Sequence, residues 1–149
     1  MHAPFARRPI LGLSLMVSVA LLSACGGDDA PSGPGGGQGT LQTASAIATP
    51  SAATVARGTP TNTTVVFTAT GGLTIGSSFT INRQYAGLTV TQTSTSTSGT
   101  TITRGYTITA DASVPAGAHQ ISFSTPVAGY TGNGSAPTAV AIFTLTVSP

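Results

Sequence analysis

The chain has 149 residues, with five Lys or Arg, three Asp or Glu, one cysteine and no tryptophan. Every cation is an arginine and every acid an aspartate, and they are scattered, so the clustered basic stripe that nucleic acid or an anionic surface requires is missing. A single thiol also excludes a disulfide framework and a cysteine-based zinc site.

Residues 1–9 carry Arg7 and Arg8 and no acid, and residues 10–22 form an apolar run. This order is that of an export signal. The run falls short of the roughly 20 residues that cross a bilayer as a helix, and a Gly-rich segment follows at once, so a permanent membrane span is not expected. Leu22-Ser23-Ala24-Cys25 ends the run with small residues and the only cysteine. These four residues resemble a bacterial lipoprotein lipobox. The resemblance implies cleavage before Cys25 and a diacylglycerol thioether on its sulfur, usually with an N-acyl chain, as the membrane anchor. The paired arginines also admit a twin-arginine route, but their flanking pattern is incomplete and general secretion is the expected path. Gly26 stands where an aspartate, by resemblance to enteric lipoproteins, favours inner-membrane retention. The expected address is therefore the bacterial cell envelope, outer membrane before inner.

Without residues 1–24 the charges reduce to Arg57, Arg83 and Arg104 against Asp28, Asp29 and Asp111, so the basic pI of 9.2 belongs to the precursor and the mature chain is near neutral. Residues 26–40, GGDDAPSGPGGGQGT, hold almost nothing that can be buried and read as a flexible tether. Its root-mean-square span is about 20 Å and its full reach about 50 Å. Gly35-Gly36-Gly37 has neither the preceding strand nor the following helix of a phosphate loop.

From residue 41 onward, short runs of Val, Ile, Phe, Tyr and Thr are punctuated by Gly, Pro, Asn and Ser. Such a pattern predicts an all-β sandwich. The expected strands are 41–47 continuing into 52–56, then 62–70, 75–83, 88–95, 100–110, 118–125 and 138–148. Alternation places Val65, Phe67 and Ala69 on one face, and likewise Ile75, Phe79 and Ile81; Ile102, Tyr106 and Ile108; Ile121 and Phe123; and Phe143, Leu145 and Val147. Thr and Ser fill the intervening positions, as suits a solvated face.

Thr54-Val55-Ala56-Arg57-Gly58-Thr59, the Thr70-Gly71-Gly72-Leu73 turn, Val114-Pro115-Ala116-Gly117 before an alternating strand, and the terminal Phe143-Thr144-Leu145-Thr146-Val147 resemble bacterial immunoglobulin-like domains of secreted and surface proteins. The resemblance covers residues 47–148 and implies one immunoglobulin-like β-sandwich of about seven strands. His119 stands where the family often has tyrosine, and the buried tryptophan and cysteine pair of antibody domains are absent.

Material for catalysis is scarce. Asp111 is the only side-chain carboxylate of the expected domain, which excludes paired-carboxylate glycoside chemistry. Asp111, His119 and a serine make a triad only on paper, because no Gly-x-Ser-x-Gly elbow is present. One histidine and one carboxylate do not complete a zinc shell, and a calcium site with one carboxylate would be weak. The run from Thr89 to Thr97 places threonines at alternate positions, a row like those of ice-binding faces; one such strand is too little for an ice plane, and a hydroxyl-rich edge strand is expected instead. Arg83, Tyr85 and Arg104 are the expected binding patch, since exposed Arg and Tyr are enriched in interface hot spots.

The combined reading is a cell-envelope lipoprotein with signal peptide 1–24, lipidated cysteine and tether 25–40, and an immunoglobulin-like domain over 41–149. Its expected role is structural, adhesive or protein-binding, with no catalysis, metal or cofactor. The expected partners are the membrane, through the lipid on Cys25, and an envelope protein or polysaccharide, with no nucleic acid. A carbohydrate-binding module is the alternative, for which no tryptophan platform exists, followed by an envelope hydrolase, for which acids and bases are too few.

Overall fold

The computed structural model describes residues 40–149. Nine strands and no helix occur among them: β1 Ala44–Thr49, β2 Ala52–Val55, β3 Thr61–Ala69, β4 Thr74–Ile75, β5 Thr80–Arg83, β6 Leu88–Ser98, β7 Thr101–Ala110, β8 Gly117–Ala128 and β9 Thr138–Val147. Burial alternates with period two along β3 and β9, as it must when β-branched and aromatic residues line one side of a pleated strand and hydroxyls the other.

The strands form two sheets packed face to face. One has the order β1-β3-β7-β6 and is antiparallel throughout. The other runs β2-β9-β8, with β2 parallel to β9, and the free edge of β8 is shared in tandem by β4, opposite Val127 and Ala128, and β5, opposite residues 121–124. Val65, Phe67, Tyr106 and Ile108 from the first sheet meet Ile121, Phe123, Phe143 and Leu145 from the second in one core. The Tyr106 and Phe123 rings bridge the layers at 4.6 Å between centroids, and Phe79 closes one side with its ring edge-on to Phe67 at 5.2 Å. A smaller cluster of Ala69, Leu73 and Val127 seals one end.

Nine strands replace the expected seven because two of the expected strands are each divided. The two expected halves of the first, 41–47 and 52–56, go to different sheets, β1 pairing with β3 and β2 with β9. The expected strand 75–83 breaks between Ile75 and Thr80 for a side-chain reason. Pro126 in the facing strand has no N–H to donate, and the Thr125 hydroxyl reaches the carbonyls of Gly76 at 3.2 Å and Ser78 at 3.0 Å instead. Thr125 is fully buried. Changing it to valine keeps the shape and removes the donor, so Thr125→Val is expected to cost about 1–3 kcal/mol in urea unfolding, while Thr125→Ser keeps the donor and is expected to lose only the roughly 1 kcal/mol of one buried methyl.

The threonine row is also divided. β6 continues to Ser98, and a bulge between Gln92 and Ser94 leaves Thr93 unpaired. Thr89 and Thr91 stand opposite Thr109 and Thr107 on the outer face, whereas Thr95 and Thr97 stand opposite Arg104 and Ile102 on the inner side. One inserted residue moves every later side chain to the other face. The partner at the bulge is Gly105, where a Cβ would lie 2.5 Å from Ser94 Oγ and 3.0 Å from Thr93 Oγ1, so a larger residue there would have to turn these hydroxyls aside.

The two ends of the sandwich differ. Residues 40–43, 70–73, the hairpin tip at Gly99 and the loop 129–137 gather where the chain enters, as the pairings Ala44↔Ala69, Thr101↔Ser98 and Pro126↔Thr138 require. The far end gathers residues 56–60, 84–87 and 111–116, tied by Gly58 N–H to Ala110 O and Asp111 N–H to Gly87 O.

Candidate functional site

Three expected patch residues occupy three different settings. Arg83 ends β5 opposite Ile121 and borders an open depression with Asn82, Gln84, Gln120, Ser122 and Ile142. Tyr85 is half-buried, packs against the core and meets the His119 ring edge-on at 4.9 Å between centroids. Arg104 projects on the inner side of β7, where its guanidinium carbon lies 3.4 Å from the Phe79 ring centroid and Nη1 donates to Gln92 Oε1 at 2.5 Å.

Register shows why these three do not form one surface. Thr80 pairs with Ser124, which puts Phe79 level with Thr125, whereas Tyr85 leans on His119, six residues back along β8. Arg104 and Tyr85 are therefore roughly 20 Å apart along the strand axis. Arg104 belongs to the wall of the sandwich rather than to a patch. Its Nε is buried without a partner, and its charge sits beside Tyr106, whose phenol pKa is raised by burial and pulled the other way by that guanidinium. The signal for this was present in the sequence: Arg104 shares the parity of Tyr106 and Ile108, the buried face of β7.

The paper triad does not assemble. His119 is buried, and its Nε2 donates to the Pro115 carbonyl at 2.7 Å, because a carbonyl only accepts. Asp111 is exposed and accepts at one oxygen from Ser113 Oγ at 2.6 Å and from Ser113 N–H at 2.7 Å. Those bonds, the hydroxyl first, hold its carboxyl below the usual carboxylate range. A depressed folded value means that this support is fully present above the ordinary carboxylate pKa and is lost as pH falls through the lower folded one. The stability advantage of the parent over Asp111→Asn is accordingly expected to persist at about pH 6 and to shrink below about pH 4, which thermal unfolding across that range will show.

Sequence reasoning passed over Gln42. Its amide nitrogen donates to Gly71 O at 3.2 Å and Gly129 O at 3.1 Å, while its oxygen accepts from Thr131 N–H at 3.1 Å and Thr131 Oγ1 at 3.2 Å. One side chain thus fastens the entering segment to two loops far away in sequence. No local pattern announces such a clamp.

Among the described residues, no three His, Cys, Asp or Glu side chains come together, and no helix is long and apolar enough to cross a membrane. Cys25, the expected signal peptide 1–24 and most of the expected tether lie outside the described residues. The fold and these contacts define an all-β protein of two packed sheets. No family model matches the chain, and no curated protein is significantly similar to it.

Proposed function

We propose that this protein is a lipid-anchored lipoprotein of the bacterial cell envelope, displaying an immunoglobulin-like sandwich in a structural, adhesive or protein-binding role. The observation that carries the reading is the order of Arg7-Arg8, the apolar run 10–22 and Leu22-Ser23-Ala24-Cys25, followed by a Gly-rich segment and then a domain closed on its own core. Three acyl chains on Cys25 are ample as an anchor, since each buried methylene contributes about 0.8 kcal/mol. A binding role rather than turnover is supported by how the domain uses its few acid–base groups: His119 and Asp111 each hold their own turn, and neither holds the other. Recognition then falls to strand edges, hydroxyls and the amide-rich depression beside Arg83. Outer-membrane placement follows from Gly26.

The test is metabolic labelling with a palmitate analogue. Cys25→Ala is expected to abolish labelling and to move the protein from the membrane to the soluble fraction, and labelling that survives the substitution would reject the anchor. A purified domain that hydrolyses an ester, peptide or glycoside reproducibly, and loses that activity in Asp111→Ala and His119→Ala alike, would reject the binding role.

A further inference from the structure

The two ends of the sandwich are chemically unlike. Segments 40–43, 70–73, 98–101 and 128–138 at the entry end hold no Arg, Lys, Asp or Glu, whereas the far end carries Arg57 and Asp111 in its loops. At the entry end Leu41 is 79% exposed, and it borders a shallow concavity with Thr40, Gln42, Gly71 and Tyr130. An exposed leucine beside a tyrosine that is half-buried against Ala69, Leu73 and Val127, on an uncharged end, is a composition that suits the boundary between headgroups and acyl chains.

We infer that the entry end of the sandwich rests on the lipid surface to which the chain is anchored, and that loops 56–60, 84–87 and 111–116 face away from it. The inference rests on the lipid-anchor reading and adds an orientation to it. The tether by itself does not orient the domain. Its full reach of about 50 Å exceeds the roughly 33 Å length of the ten-residue strand β9. What orients the domain is the clamp and the composition together. Gln42 bonds Gly71, Gly129 and Thr131, so Leu41 moves with the sandwich, and any insertion of Leu41 between headgroups draws the whole entry end down. Tethering supplies an effective concentration in the millimolar range, at which a weak contact suffices. At the far end the same approach would press Arg57 and Asp111 toward a medium that solvates charge poorly.

Because the protein has no tryptophan, one introduced tryptophan reports one place. The chain beginning at Cys25 is coupled through that thiol to a maleimide-headgroup lipid, in phosphatidylcholine vesicles bearing brominated acyl chains. Asn133→Trp reports the entry end and Ala112→Trp the far end, both at exposed positions. Quenching at residue 133 is expected to exceed that at 112 by roughly twofold or more, and Leu41→Asp with Tyr130→Ser is expected to level the two. Equal quenching at the two positions, stronger quenching at 112, or a difference that survives the double substitution overturns the orientation. The lipid is supplied chemically here, so this outcome is separate from whether the cell acylates Cys25, which palmitate labelling reads.

Discussion

Truncating Phe123 or Phe67 to alanine is expected to destabilise the domain by about 3–5 kcal/mol. Both rings are essentially fully buried, Phe123 against Tyr106 across the two layers and Phe67 against Phe79 at the side. The surrounding residues belong to hydrogen-bonded strands of both sheets, and such a frame collapses little into a void, so the loss includes the cavity as well as the transfer of the ring. A domain of ordinary stability, about 5–15 kcal/mol, gives up a large share of it. No cysteine lies in residues 40–149, so reductant is expected to leave the midpoint unchanged. Val140 supplies the control: it lies on the outer face of β9, is 49% exposed, and its change to alanine is expected to alter urea unfolding by no more than about 0.5 kcal/mol. Near-neutral effects at both phenylalanines would contradict a core placed between the sheets.

Gly71→Val is expected to cost roughly 2–4 kcal/mol, or else to release residues 40–43 from the sandwich. Two separate reasons act at this position. Its φ of 67° lies in the left-handed region, where a β-branched residue is strained. A Cβ there would also meet the Leu41 carbonyl and come within 2.8 Å of Gln42 Cα, and those are backbone atoms with no rotamer to change. Relief requires the entering segment to lift, which breaks the Gln42 bonds to Gly71, Gly129 and Thr131. Hydrogen exchange read by mass spectrometry separates the outcomes. Fast exchange confined to 40–43 and 129–131 marks release of the clamp, and a lowered global midpoint marks strain retained. Gly72, one residue on, also has a positive φ but has open space where its Cβ would be, so Gly72→Ala is expected to show the conformational cost alone.

Alternation along single strands was enough to identify the all-β class and most of the core, because a residue's parity in a strand decides which face it takes whatever the neighbouring strands do. Val65, Phe67, Tyr106, Ile108, Ile121, Phe123, Phe143 and Leu145 are buried as their parity predicts. Arg104 has the same parity as Tyr106, and its inward place over Phe79 was legible for that reason; its charge drew attention to the surface instead. What parity does not carry is pairing. The division of 75–83 into β4 and β5 depends on Thr125 and Pro126 in a strand some fifty residues away, and the bulge that splits the threonine row lies opposite Gly105 across the hairpin. The separation of Tyr85 from Arg104 and the Gln42 clamp are likewise products of register and loop closure between distant segments. Side-chain identity and local period are properties of a few consecutive residues, whereas which strand edge meets which, and therefore which polar groups find partners, is settled only when the whole sandwich closes.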